Sequence, residues 1–186
     1  MPHAQNNITN WQYWRCDLDT PADAFGPFAG IVDIWNSKRE GAHGLPTRAA
    51  FEFTDFKGWW GRVAIAQLHR APLEVRFSLW GTTLTEWWGT DYTNRRLGEA
   101  AHDPDAWLRT EGRYFEAMVA QPFIGIAAGG LDQHDRSFIK VISVDLPVGD
   151  AGGPTHVLAF HRQIRLEEAP ADTMPDCPMR SLDYLS

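Results

Sequence analysis

Between Arg76 and Gly89 the chain reads Arg-Phe-Ser-Leu-Trp-Gly-Thr-Thr-Leu-Thr-Glu-Trp-Trp-Gly, a strand pattern that stops on a glycine and resumes as a short helix. Val75, Phe77 and Leu79 alternate with Arg76, Ser78 and Trp80, the period-two signature of a half-buried strand. Gly81 breaks that run, Thr82 or Thr83 offers a hydroxyl to cap the helix, and Gly89 ends it after barely two turns. Leu84, Trp87 and Trp88 give the helix an apolar edge too bulky to leave in water. A strand feeding a stubby aromatic helix is how a cupped sheet builds the wall of a small cavity.

The rest of the chain fits around such a cup. Phe28, Ile31, Val32 and Trp35 recur at i, i+3, i+4 and i+7, which predicts an amphipathic helix of three to four turns. A short aromatic helix carrying Phe56, Trp59 and Trp60 follows. Val63 to Leu68 and Leu73 to Trp80 form a hairpin. Asp103-Pro104 starts a longer helix, because Asp accepts from orphan amides and Pro suits the first helical position. Trp107, Leu108, Tyr114, Phe115, Met118 and Val119 mark its apolar face as far as about Ala120. Three strands finish the pattern, Pro122 to Leu131, Ser137 to Val148 and Thr155 to Leu166, joined at Asp132–Asp135 and Gly149–Gly153. The order predicts an α+β fold: five antiparallel strands, helices inserted between strands two and three, and an N-terminal amphipathic helix on the other face. Residues 1–20 read as an N-terminal arm, 21–168 as one domain and 169–186 as a C-terminal tail.

At 186 residues the chain is long enough for one domain with a substantial core. Its net charge of −7 argues against nucleic acid, whose phosphates need clustered Lys and Arg. The start, Met-Pro-His-Ala-Gln-Asn-Asn, has neither the basic nor the apolar part of a secretory signal. The stretch from Met118 to Leu131 is broken by Gln121, Pro122 and three glycines, so no membrane span is expected. Two cysteines without metal spacing, Cys16 and Cys177, suit free thiols in a reducing cytoplasm.

Little in the sequence resembles catalytic machinery. His156 and His161 lie five apart on a predicted strand, so they leave from opposite faces and cannot share one metal ion. Asp132-Gln133-His134-Asp135 has the composition of a polar turn, and His102-Asp103 that of a helix start. Gly-Ile-Ala-Ala-Gly-Gly, from Gly125, lacks the Lys-Ser/Thr ending of a phosphate loop and follows its helix instead of preceding it. No cofactor is evident.

The residues from about Trp35 to Arg165 do resemble a family. Trp35 on the leading helix, Leu45-Pro46-Thr47-Arg48, the Arg76-Phe77-Ser78-Leu79-Trp80-Gly81-Thr82 element and Gly89 with Asp91-Tyr92-Thr93 are together similar to short, stand-alone PAS-like proteins common in alphaproteobacteria. Asn94 stands where those proteins usually carry a turn glycine, and Asn tolerates the left-handed conformation. The resemblance implies a PAS fold, in which the inserted helices cup a ligand-sized cavity, and a sensory or regulatory role without catalytic residues.

These expectations place a candidate ligand site on Arg76, Ser78, Trp80, Thr82, Trp87, Trp88 and His161. In the PAS fold the residue corresponding to Trp80 points inward, and period two sets Ser78 and Arg76 beside it. Arg76 there needs an anionic ligand or an acid of this chain, such as Glu86 or Glu111. Trp11, Trp14, Phe28 and Trp35 are the candidate surface for a second copy or a signalling protein. The expected function is a cytoplasmic, non-catalytic sensor module, a homodimer binding a small molecule or a protein partner. The alternatives are a small cavity-based α+β enzyme, which requires titratable groups converging in the cavity, and a structural dimerisation domain whose tryptophans fill the cavity themselves.

Overall fold

A computed structural model describes residues 10–41, 44–70, 72–99 and 103–183. Ile8, read as part of the arm, and His102 lie outside the described residues. The chain is α+β, built on one open antiparallel sheet. Its strands are β1 (Gln12–Cys16), β2 (Val63–His69), β3 (Glu74–Trp80), β4 (Ile124–Leu131), β5 (Arg136–Asp150), β6 (Gly153–Ile164) and β7 (Arg180–Ser181), in the spatial order β3-β2-β6-β5-β4-β1-β7. The five runs read as strands are β2 to β6, and the sheet has two more.

Both extra strands come from segments read as arms. β1 lies against β4 with Tyr13 opposite Ala127 and Cys16 opposite Ile124, and β7 closes on the outer edge of β1. The Leu182 amide donates to the Tyr13 carbonyl at 2.9 Å. In β1 the alternation is carried by aromatics and a cysteine among polar residues, so its apolar signal is weak although Tyr13 and Cys16 are buried. The tail is likewise packed, with Met174 fully buried.

Two apolar clusters sandwich the sheet. On one face, helix α1 (Ala29–Ser37) and the turn before it bury Phe28, Ile31, Val32 and Trp35. Trp35 Nε1 donates to the Pro147 carbonyl at 2.9 Å, so the indole is both packed and satisfied. Each such side chain stabilises the fold by about 1.5–3 kcal/mol through burial alone. The expected short helix near Phe56 is a pair of 3-10 turns, Phe53–Phe56 and Trp60–Arg62, on the same face.

The other face is covered by α2 (Thr82–Trp88), the loop through Tyr92, and a helix in three parts: α3 (Pro104–Trp107), a π-helical turn (Leu108–Gly112) and α4 (Arg113–Ala120). Asp103 caps α3, its carboxylate accepting from the Ala106 amide at 2.9 Å. Gly81, not Thr82 or Thr83, is the N-cap of α2, with no side-chain cap, and Gly89 ends the helix in the left-handed conformation. Asn94 also adopts a positive φ of 64°, and its segment runs along β3, with its amide donating to the Phe77 carbonyl at 2.7 Å.

Candidate functional site

Between that helical cover and the sheet lies a cavity of about 50 Å³, room for a few waters on a scale where one needs roughly 10–15 Å³. Small side chains create it. Ala64 and Ala66 on β2, Ala127 on β4, Ser143 on β5 and Ala159 on β6 form a floor that reaches only a short way into the space. Trp80, Trp88, Tyr92, Trp107 and Trp11 form the walls. The rings brace one another: Trp80 meets Trp88 edge-on with centroids 5.2 Å apart and Tyr92 at 5.0 Å, while Trp11 lies 6.2 Å from Trp88 and 6.4 Å from Trp107.

The glycines of β4 admit Trp11 and a second large residue, Tyr114 of α4. Gly125 and Gly129 share the cavity-side face with Ala127. A Cβ at Gly129 would sit 2.6 Å from the Trp11 ring, and one at Gly125 would overlap the Tyr114 hydroxyl. Gly125 pairs with Asp145 across the β4–β5 ladder. Tyr114 therefore passes over the bare backbone at Gly125, and its hydroxyl donates to Asp145 Oδ2 at 2.6 Å. The Gly-Ile-Ala-Ala-Gly-Gly run is a strand thinned for aromatic neighbours.

Asp145 is the polar centre of the cavity wall. It is 5% exposed, and its second oxygen, Oδ1, is buried without a hydrogen-bond partner among the described residues. Burial raises its pKa to about 6, while the hydroxyls of Tyr114 and Ser143 hold the rise in check. Glu111, in the π-helical turn, also lines the cavity. Burial and the negative charge of Asp145 raise its pKa to about 8. His161 faces the same space, and burial lowers its pKa to about 4. Its Nδ1 lies 3.3 Å from the Arg62 carbonyl, which can only accept, so the neutral ring carries its proton there. Tyr13 and Tyr114, with rings 4.8 Å apart, are raised by burial first and then by the nearby acids, and both stay protonated. Near neutral pH the cavity thus holds an ionised Asp145, a largely protonated Glu111 and a neutral His161. The indole N–H groups of Trp80 and Trp107 are likewise buried without acceptors among the described residues.

Of the residues expected at a ligand site, Trp80, Trp88 and His161 line the cavity, and Arg76, Ser78, Thr82 and Trp87 do not. For Arg76 and Ser78 a β-bulge is the reason. The β2–β3 register shifts between Ile65 and Ala66, so Ala66 pairs with Phe77 while Ile65 pairs with Leu79. Ser78 is the extra residue, and the period-two count through it fails. Phe77 and Trp80 both face the cavity, whereas Ser78 is exposed and its hydroxyl donates to the Ile65 carbonyl. The Arg76 guanidinium donates to the Asn94 carbonyl at 2.8 Å and pairs with Glu74 at 3.4 Å, not with Glu86 or Glu111. Thr82 is exposed at the start of α2, and Trp87 is half-buried beside the cavity cluster.

The aromatic residues expected on a partner surface are spent within the chain. Trp11 lines the cavity and donates from Nε1 to the Gly130 carbonyl at 3.1 Å. Phe28 and Trp35 are fully buried, and Trp14 is half-buried against the α1 face.

Asp145 was missed as a site residue and Glu111 was considered only as an acid partner for Arg76, yet each carries a sequence signal. Glu111 stands midway between Trp107 and Phe115, four residues from each, on an otherwise apolar helical stripe. Asp145 interrupts the strand run Val-Ile-Ser-Val-Asp-Leu-Pro-Val. An acid inside an apolar pattern is unusual unless it is paired or functional.

Among the described residues no three His, Cys, Asp or Glu side chains converge as a metal site, and no helix is long and apolar enough to cross a membrane. No family model, curated protein or solved structure matches the chain.

Proposed function

We propose that this chain is a PAS-like sensor module that binds a small molecule between the sheet and the helices inserted after the β2–β3 hairpin. The observation that carries this is an aromatic cavity between the sheet and its helical cover, whose wall holds buried polar atoms without hydrogen-bond partners among the described residues. Such atoms cost stability in a dry site, and a ligand that pairs with them recovers it. We place the module in the cytoplasm and assign it no reaction. Its output would be a shift in how the helices over the cavity pack when the ligand is bound, read by a signalling protein or by a second copy of the chain.

Native mass spectrometry of protein purified without denaturant tests the proposal. The expected spectrum shows a mass adduct that denaturation releases, and its charge-state series reports whether the chain is a dimer. A bare chain mass, together with no thermal stabilisation by any member of a panel of molecules of up to six heavy atoms, would overturn it.

One observation favours a second reading. Glu111 and Asp145 face one cavity with pKa values driven apart, to about 8 and about 6, the arrangement by which two carboxyls divide acid and base roles. An enzyme built on this pair would convert the retained molecule, and the adduct mass would change on incubation.

A further inference from the structure

The polar pattern of the cavity specifies the chemistry of its ligand, an inference that rests on the ligand-binding reading above. Asp145 lines the cavity, is 5% exposed, and leaves Oδ1 without a hydrogen-bond partner among the described residues while Oδ2 is held by Tyr114. A carboxylate oxygen can only accept, so its natural complement is an N–H or O–H donor, best a charged one. No lysine or arginine is among the described residues lining the cavity. The surrounding walls are formed by Trp11, Trp80, Trp88, Trp107 and Tyr92. Electron-rich aromatic faces around a carboxylate form a cage that favours organic cations, because the ring quadrupoles attract positive charge where water is excluded.

We propose that the cavity binds a small aliphatic ammonium, its N–H donating to Asp145 Oδ1 and its alkyl groups resting against the indole rings. Size limits the class: about 50 Å³ admits a group of a few heavy atoms and excludes nucleotides, flavins and haem.

Binding should be linked to protons. The groups facing Asp145 are Tyr114 and Glu111 from the covering helix, Tyr13 from β1, His161 from β6, Ser143 on its own strand and His134 in the β4–β5 turn. Tyr13 and Tyr114 stay protonated, and His161 is neutral above about pH 4, so none of these three adds a competing positive charge near neutrality. With Asp145 ionising at about 6, affinity for a cation should rise about tenfold from pH 5 to pH 7, since the carboxylate fraction grows by that factor. Ionisation of Glu111 at about 8 should strengthen it further in more alkaline solution.

Isothermal titration with three four-heavy-atom probes of similar shape tests this: isopropylammonium, isopropanol and acetate. The expected result is that isopropylammonium binds at least tenfold more tightly than isopropanol, that acetate does not bind, and that the cation affinity follows the predicted pH dependence. Asp145→Asn, whose amide oxygen can still accept from Tyr114, should reduce cation affinity at pH 7 at least tenfold and remove the part of its pH dependence that follows Asp145 ionisation. Binding of isopropanol or acetate as tight as that of the cation overturns the ammonium assignment and leaves the ligand-binding reading standing. Failure of all three probes, with no adduct in native mass spectrometry, overturns both. Cation binding unchanged in Asp145→Asn, or independent of pH, overturns the assignment of the site.

Discussion

Glu111 should make the protein less stable as the solution becomes alkaline, by an amount that can be worked from its surroundings. Its folded-state pKa is about 8 against an ordinary 4.5, because burial and the Asp145 charge penalise the carboxylate. A group that holds its proton more tightly when folded contributes fully below its unfolded pKa and loses that contribution as pH rises through the folded one. The difference corresponds to about 5 kcal/mol, complete below about pH 4.5 and lost by about pH 8. Asp145 behaves the same way over a lower window, from 3.8 to about 6. His161 is opposite in sign: lowered from 6.5 to about 4, its contribution is present above pH 6.5 and lost as pH falls toward 4. Between about pH 6.5 and 8, Glu111 is the one member of this trio that titrates. The unfolding free energy should therefore fall by about 1.4 kcal/mol per pH unit there, about 2 kcal/mol in all. In Glu111→Gln the carboxyl is replaced by an amide of nearly the same shape, and the slope over that window should vanish. Urea denaturation at half-unit pH steps, with the m-value held constant between the two proteins, reads this directly. Parallel stability curves for wild type and Glu111→Gln would refute the reasoning, since they would mean that Glu111 does not titrate abnormally in the fold.

Three further outcomes are expected. Gly125→Ala puts a methyl where the Tyr114 hydroxyl passes, so the Tyr114–Asp145 bond should break at a cost of about 1–3 kcal/mol, measured by denaturant unfolding. Ala159→Val adds two methyl groups to the cavity floor; the unliganded protein should hold or gain stability within about 2 kcal/mol, while bound ligand disappears from the native mass spectrum. Cys16 and Cys177 are buried thiols with sulfurs 3.1 Å apart, and the hydrogen bond between them lowers the Cys177 pKa. Hydrogen peroxide should join the two sulfurs, both thiol hydrogens leaving as water. Closing so long a loop should stabilise the fold by up to about 5 kcal/mol, reversed by dithiothreitol and absent in Cys177→Ser.

The legibility of the chain followed the strength of local signals. β2 to β6 show apolar runs bounded by turn residues, Asp103-Pro104 states a helix start, and Gly89 states a helix end; each lies where its local chemistry put it. β1 and β7 are short elements near the sheet edge whose pairing is decided by neighbours distant in sequence, so a short stretch of mixed polarity such as Gln-Tyr-Trp-Arg-Cys hid a strand. The bulge at Ser78 turned a correct strand into a wrong face assignment for Arg76 and Ser78 while leaving Trp80 inside, since a single inserted residue inverts the alternation. The cavity itself was legible as an aromatic wall at Trp80 and Trp88. Its chemistry was not. Glu111 and Asp145 belong to different elements, and only the packing of the π-helical turn over β5 brings them to one space. The tryptophans expected at a partner surface illustrate the same limit: an aromatic stripe says that a face is covered, and tertiary packing decides by what.

The most direct measurement of the central claim is the side-chain indole region of a ¹H–¹⁵N correlation spectrum, assigned for the nine tryptophans and titrated with isopropylammonium at pH 7. Trp11, Trp80, Trp88 and Trp107 line the cavity, and their indole signals should shift together with one saturating profile. Trp35, on the opposite face, and the exposed Trp60 should stay in place. Shifts confined to Trp60 or other indoles away from the cavity, or no shift at saturating concentration, would contradict the account.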